Sequence, residues 1–257
     1  MRRLIITALF VAPLLALLIV RQSPLGALGV VFVSHMLALY ATLRPTCGWW
    51  GPVVTSFEPR GREVWLTIDD GPHPEDTPRV VEILKRFEAR ATFFVKGKNV
   101  TAWPEVARAA IDAGHTLGNH SDTHPSGSFW RARLPTIERE IDNCNAALAR
   151  IGAGECRWFR APVGFKNLFA HPALTRRRMR LIAWSSRGFD GARASDVDKV
   201  VDRICRDVQP GAIVLMHEGV FTAAGESFSA SCLEALLTRL SGDGYRFVIP
   251  QDDQLIS

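Results

Sequence analysis

Six side chains of this 257-residue sequence have types and spacings that can act together. Asp69 and Asp70 adjoin in the string TIDDGP, His120 and His124 lie four apart in NHSDTH, Arg160 opens RAPVG, and His217 ends the apolar run IVLMH. Two carboxylates leaving a strand in succession point in different directions, so one can bind a metal while the other faces a substrate; Asp-Gly-Pro is equally ordinary turn chemistry. A spacing of four brings two imidazoles to one face where the backbone is helical. Two neutral histidines and one carboxylate make a three-ligand set for zinc or a similar divalent ion, with room left for water. Arg160 can clamp a carboxylate, and the backbone N–H groups of its loop can face a developing oxyanion; a surface arginine before a turn is the bland alternative. His217 is a candidate general acid that would be weak evidence alone. His73 reads as a rim residue, and His115 and His171 as structural.

These residues need elements to hold them. Beyond about Phe57 short apolar runs alternate with helical stretches, the pattern of a β/α architecture with a largely parallel sheet. Strands are expected at 63–68, 91–95, 116–119, 157–160, 180–184, 212–216 and 245–249, and seven such segments suit a barrel-like domain. Helices are expected at 78–87 with Thr77 as cap, 104–113, 135–151, 196–207 after Ser195, and 229–240. The reactive residues then fall at the carboxyl ends of strands, where β/α barrels build their active sites.

The leader has its own character. Four of the 31 basic side chains (Arg2, Arg3, Arg21 and Arg44) precede Glu58 and none of the 26 acidic ones does, leaving 27 against 26 in the rest. That near-neutral remainder argues against a nucleic-acid-binding surface. Residues 4–20 and 25–43 are uncharged, mostly apolar and long enough for roughly 26 to 29 Å of helix, close to the thickness of a bilayer core. They are expected to be two transmembrane helices forming an anchor over residues 1–56, ahead of a catalytic domain at 57–257. A cleaved signal peptide competes poorly because no cleavage site follows Val20. One anchor plus one interfacial or buried segment is the other alternative, kept open by Ser34 and His35. Trp49 and Trp50 stand where interfacial aromatics would. Arg2, Arg3, Arg44, Arg60 and Arg62 flank the outer ends and only Arg21 the turn, which places the catalytic domain on the cytoplasmic side of the inner membrane, with the periplasmic side as the alternative. Five cysteines without regular spacing give no disulfide framework.

Taken in chain order, these motifs resemble the polysaccharide deacetylase family, the NodB-homology domains of carbohydrate esterase family 4, over roughly Glu63 to Ile249. The resemblance implies an α/β fold, a deformed (β/α)7-type barrel, here behind the N-terminal helical hairpin. It implies Asp69 as catalytic base, Asp70, His120 and His124 as ligands of a divalent metal ion, zinc first, Arg160 as the orienter of the base and His217 as the acid. Pro162 and Val163 would form the oxyanion and substrate loop, with the Val163 N–H on the oxyanion. Two departures stand out. Val163 occupies a position usually held by Phe or Tyr, and WSSRGFDG stands where Asp-x-x-Asp-Trp belongs, with Arg187 at the first aspartate and Gly191 at the tryptophan. Only Asp190 survives, to support Arg160 or His217 or to cap a loop.

The expected function is metal-dependent removal of an N-acetyl or other N-acyl group from an amino sugar in a membrane-associated, lipid-linked glycan. Arg176, Arg177, Arg178 and Arg180 can meet lipid phosphates there, unless they are a solvated helix end. The expected partners are that glycan and the bilayer, with no nucleic acid. A periplasm-facing deacetylase of peptidoglycan or exported polysaccharide, and an O-acetyl esterase on the same fold, are the alternatives. A non-haem iron oxygenase has no use for the second aspartate or the distant histidine, and a dead binding module would usually lack one of the groups present.

Overall fold

The computed structural model describes residues 1–257. The chain opens with two antiparallel helices, α1 (Arg2–Ile19) and α2 (Pro24–Leu43), within two residues of the expected spans. The Ser23 hydroxyl accepts the Gly26 N–H at 3.2 Å and Pro24 takes the first helical position, which starts α2 abruptly after the turn. Small residues (Ala12, Ala16, Ala27 and Ser34) are buried between the helices, whereas Leu4, Phe10, Leu17, Leu25 and Leu28 stand exposed. Both helices are long and apolar enough to cross a membrane.

The remainder is built on ten strands: β1 (Ser56–Phe57), β2 (Glu63–Asp69), β3 (Ala91–Val95), β4 (Thr116–Asn119), β5 (Trp158–Phe159), β6 (Arg180–Leu181), β7 (Ser186–Arg187), β8 (Ile213–His217), β9 (Arg246–Phe247) and β10 (Leu255–Ile256). Seven helices accompany them: α3 (Asp76–Arg86), α4 (Gly97–Ala102), α5 (Pro104–Asp112), α6 (Leu134–Arg150), α7 (Ala170–Arg176), α8 (Val197–Asp207) and α9 (Phe228–Gly242). A parallel sheet runs β6-β5-β4-β3-β2-β8-β7, with β9 also on β2, while β1 and β10 pair antiparallel. All seven residues of β2 are buried, as a strand covered on both faces requires. Val64, Leu66 and Ile68 join the core under the helices, and Trp65 joins the aromatic core inside the barrel with Phe94, Phe159 and Trp184. The curled sheet is closed by one continuous stretch: the Ile182 N–H donates to Phe159 and the Ser185 N–H to Ile213, so residues 180–187 bridge the two edges. The fold is the expected deformed β/α barrel.

The apolar strands β2, β3 and β4 fall where the sequence places them, β2 one residue longer. The others shrink to two residues or shift by one, and β7 and the β1–β10 pair, too short for any periodicity, escape the sequence reading, as do α4 and α7. Both expected caps are displaced. Thr77 lies inside the first turn of α3, where its hydroxyl accepts the His73 N–H and donates to Glu218 at 2.6 Å. Asp196, one residue after Ser195, caps α8 by accepting the Lys199 N–H.

The hairpin is fastened to the barrel. Lys166 is 1% exposed, and its ammonium donates to the carbonyls of Arg44 (2.6 Å) and Pro45 (2.8 Å) while its N–H donates to Thr42. The Lys166 N–H thus meets a carbonyl in the last turn of α2 and its ammonium the two carbonyls just past it, a cation at the negative end of the dipole. Burial pushes the Lys166 ammonium down to about 8. Trp50 is not an interfacial aromatic: it is 3% exposed, packed with Ile5 and Ala41, and its indole donates to the Thr42 hydroxyl. Trp49 lies against Tyr40. Replacing Lys166→Ala leaves the Arg44 and Pro45 carbonyls without their charged donor, a loss of about 1.5 to 3 kcal/mol. Limited proteolysis of the detergent-solubilised variant should gain cleavage around residues 45–51; a wild-type digestion pattern would contradict this anchoring.

Candidate active site

The six reactive residues converge at the carboxyl rim of the barrel because the register aligns the strand ends. Asp69 pairs with Phe94 on β3 and His217 on β8, and Asn119 pairs with Phe159, which brings His120 and Arg160, the next residues, side by side. Arg160 is fully buried. Its Nη1 donates to Asp69 Oδ1 (2.7 Å) and the Thr67 hydroxyl (2.8 Å), its Nη2 to Ala183 O (2.9 Å) and its Nε to Ile182 O (3.3 Å). The guanidinium lies over Phe94 and faces Trp184. One Asp69 oxygen is thus fixed, and the other, Oδ2, is directed into the site, 3.6 Å from His120 Nε2.

Asp70 turns away from the strand with φ 80°, a left-handed conformation that aspartate tolerates, so the two carboxylates diverge. His120 Nδ1 lies 2.9 Å from the Arg160 carbonyl, an acceptor only, so Nδ1 carries the proton and Nε2 presents its lone pair. The histidine pair does not sit on a helix. Ser121 and His124 have φ of 66° and 53°, and this loop, not a helical face, brings the two rings to 4.7 Å, tilted by 50°. Donor atoms of Asp70, His120 and His124 all lie within 4.8 Å of one another. Burial, followed by the charge of His120, pulls His124 down to about 4, which leaves it neutral as a ligand must be. Burial alone would raise Asp70, but the neighbouring histidines and Lys96 hold it at about 2. Its buried Oδ1 has no hydrogen-bond donor, although Lys96 Nζ stands 3.2 Å away. An orphaned carboxylate oxygen facing two imidazoles fits a divalent cation.

Across the site the Asp190 carboxylate, itself 1% exposed, accepts the His217 N–H at 2.7 Å and lies 3.1 Å from Nδ1. Asp190 therefore serves His217, not Arg160. Burial works against the His217 cation, but Asp190 outweighs it and raises the imidazole to about 9, so it stands protonated. Gly191 is required at its position: a Cβ there would lie 2.5 Å from His217 Cγ. Arg187, in contrast, makes no ion pair with a carboxylate and stacks on Trp184 and Phe189.

Pro162 is buried, and Val163 is 45% exposed with φ 57°, an outlier for a β-branched residue. The strained turn leaves the Val163 N–H without an acceptor in the chain. Val163, Arg187, Phe189 and His217 share with Asp69, Asp70, His120 and His124 a cavity of about 440 Å³. His73, His115 and His171 lie elsewhere: His73 accepts backbone N–H groups at the start of α3, His115 accepts the Ala91 N–H, and His171 meets the Pro52 carbonyl. The arginine cluster is partly occupied, since Arg176 and Arg177 pair with Glu138 and Asp142 on α6.

Sequence reasoning passes over two supporting residues. Lys96, just past β3, faces Asp70. Glu140 on α6 accepts the Asp122 and Thr123 N–H groups and the Thr123 hydroxyl, holding the loop between the two histidines. A carboxylate one-third of the way along an amphipathic helix carries no local signal; only the buried turn it faces in the sheet assembly reveals it.

The profile of the family described as polysaccharide deacetylase matches residues 57–180, which takes in Asp69, Asp70, His120, His124 and Arg160 and leaves out the hairpin and His217. The chain is 33% identical over 157 residues to a chitooligosaccharide deacetylase of Azorhizobium caulinodans, covering 61% of this chain and 73% of that one. It superposes on the crystal structure of a peptidoglycan N-acetylglucosamine deacetylase with TM-score 0.69 and 26% identity, over 76% of this chain and 89% of that chain. It also superposes on a carbohydrate esterase family 4 pseudoenzyme from Bacillus anthracis with TM-score 0.65 and 27% identity, over 76% and 66%.

Two measurements check the electrostatic assignments. With His217 as the acid, which must hold its proton to give it, the rate would fall as pH rises through the His217 pKa. Asp190→Asn removes the charge that raises it, and the alkaline limb of the kcat profile should move to lower pH; an unmoved limb would count against the pair. Glu140→Ala frees the histidine loop and should weaken metal binding by about 10- to 100-fold, the usual effect of losing a group that orients ligands, as read by titration with a competing chelator.

Proposed function

We propose, for a chain that belongs to the polysaccharide deacetylase family and is a carbohydrate deacetylase by that membership, that it removes an N-acetyl or other N-acyl group from an amino sugar presented at a membrane surface. The observation that carries this reading is the convergence, in one cavity, of a clamped carboxylate, a His/His/Asp donor set and a histidine held protonated by a second carboxylate. Held by Asp70, His120 and His124, a divalent ion, zinc by the donor set, would supply Lewis acidity to the acyl carbonyl and acidify water.

The chain's own groups do the rest. Asp69, with Oδ1 tied to Arg160, uses Oδ2 to take the proton of the attacking water. The Val163 N–H, without an acceptor in the chain, is available to the negative charge that grows on the acyl oxygen. As the C–N bond breaks, His217 passes its Nε2 proton to the departing nitrogen and Asp190 steadies the ring through Nδ1. The products are a carboxylate, acetate for an acetyl substrate, and a free amino sugar. That candidates for base, acid and donor set share one cavity supports an active enzyme over a dead binding module.

The exposed hairpin and its flanking arginines favour a catalytic domain on the cytoplasmic face, where a lipid-linked glycan is the accessible amino sugar. The peptidoglycan deacetylase among its structural relatives supports a second reading, in which the domain faces the periplasm and acts on cell-wall glycan. Reporter fusions at the C-terminus separate the two: cytoplasmic-type activity is expected, and strong periplasmic activity would reverse the assignment. For the chemistry, purified protein should release acetate from N-acetylglucosamine-containing lipids or oligomers. Asp69→Asn should lower kcat by on the order of 10² to 10⁴ with little change in KM. Release that survives both chelation and Asp70→Ala would overturn the metal-dependent reading.

A further inference from the structure

The mouth of the cavity carries a charge that the deacetylation chemistry does not use. Arg187, at the end of β7, lines the cavity yet forms no salt bridge and donates no hydrogen bond, although its guanidinium is held by two rings, 5.5 Å from the Trp184 centroid and 4.1 Å from that of Phe189. Half-buried arginines normally find a carboxylate. Asp69 and Asp70 share the cavity but face other groups: Asp69 is bonded to Arg160, and Asp70 is turned toward the histidines and Lys96. Burial first, and then the like charge of Arg44, pull Arg187 below its ordinary value. The segment that follows α2 packs beside the Trp184 ring. A Cβ on Gly164 would lie 2.6 Å from the Trp184 ring and 2.7 Å from Pro45 Cβ, so the residue after Arg44 shares one contact with the ring on which Arg187 stacks. The Arg44 side chain is exposed and also lacks a carboxylate partner.

Two unneutralised guanidinium groups, one stiffened by aromatic stacking, make a site for an anion with several oxygens. We propose that Arg187 and Arg44 bind the phosphate or diphosphate group of a lipid-linked amino sugar, holding the sugar in the cavity with its N-acyl group at the Asp70, His120 and His124 end. Position argues for the source: Arg44 follows the last residue of the exposed apolar hairpin, and with that hairpin in a bilayer it would stand at the depth of the lipid phosphates. This inference rests on the membrane-surface reading above for the identity of the carrier, and on the arginine pair for the phosphate.

The test uses the full-length, metal-loaded protein in neutral detergent and reads equilibrium binding of two probes: N-acetylglucosamine 1-phosphate esterified to a dodecyl chain, and the uncharged dodecyl N-acetylglucosaminide. Wild type should bind the phosphodiester at least about tenfold more tightly, and Arg187→Gln and Arg44→Gln should each cut that preference by about tenfold, the worth of one charge-assisted hydrogen bond. Arg187→Lys, which keeps charge but loses the planar fork, should recover only part of it. Equal binding of the two probes by wild type, or a preference that survives both glutamine variants, overturns the proposal. Competition by an anionic phospholipid as effective as the sugar phosphodiester also overturns it, since the arginines would then be reading the bilayer itself. Acetate release in the same samples reports separately on the deacetylase: selective binding without release defeats the catalytic reading and leaves the phosphate site standing.

Discussion

The structure depends on a buried ion pair. Removing a guanidinium from water costs far more than any one hydrogen bond returns, so Arg160 is tolerable inside the barrel only because Asp69, Thr67 and two carbonyls of residues 182–183 all meet it. Those partners come from β2 and from the stretch that closes the sheet, while Arg160 itself follows β5. The contact that fixes the Asp69 carboxylate is therefore also the one that stitches the barrel shut on this side. Breaking such a pair from one partner's side typically costs about 3 to 5 kcal/mol, and here the strand register that gathers the other reactive residues would suffer with it.

Around this pair the chain sorts chemically similar groups by environment. His124 and His217 begin as the same imidazole. The first, crowded by another histidine in a desolvated corner, is driven to the neutral form that can donate a lone pair; the second, backed by Asp190, is driven to the charged form that can give up a proton. Asp69 and Asp70 are adjacent in sequence and separated in role by one left-handed residue, and the Arg160 carbonyl fixes the tautomer of His120 while its side chain fixes Asp69.

The parts of this arrangement written in local pattern were legible in the sequence. β2, β3 and β4 are unbroken apolar runs, and Asp69, Asp70, His120, His124, Arg160 and His217 are reactive types at the ends of such runs. What depends on non-local pairing was not. Two-residue strands such as β7 acquire their character only from the neighbour they bond. The spacing of His120 and His124 suggested a helical face, yet two positive φ values achieve the same proximity in a loop. Asp190 could have served either of two partners, and only the fold shows that it caps the His217 backbone and ring together. Glu140, Lys96 and Lys166 carry no motif; each is an ordinary helix, strand-end or loop residue until the turn, ligand or carbonyl opposite it is known.

Lys166 bears on kinetics as well as on stability. A domain carried on a loose tether samples a volume, and its encounter rate depends on tether length. Here the ammonium of Lys166 grips the two carbonyls just past α2 and shortens the tether, which restricts the height and tilt of the cavity relative to the hairpin. With the hairpin in a bilayer, enzyme and lipid-borne substrate would meet by lateral diffusion in a plane, already oriented. Encounter frequency would then be set by the surface density of substrate, at an effective concentration that no soluble version of the same barrel could reach.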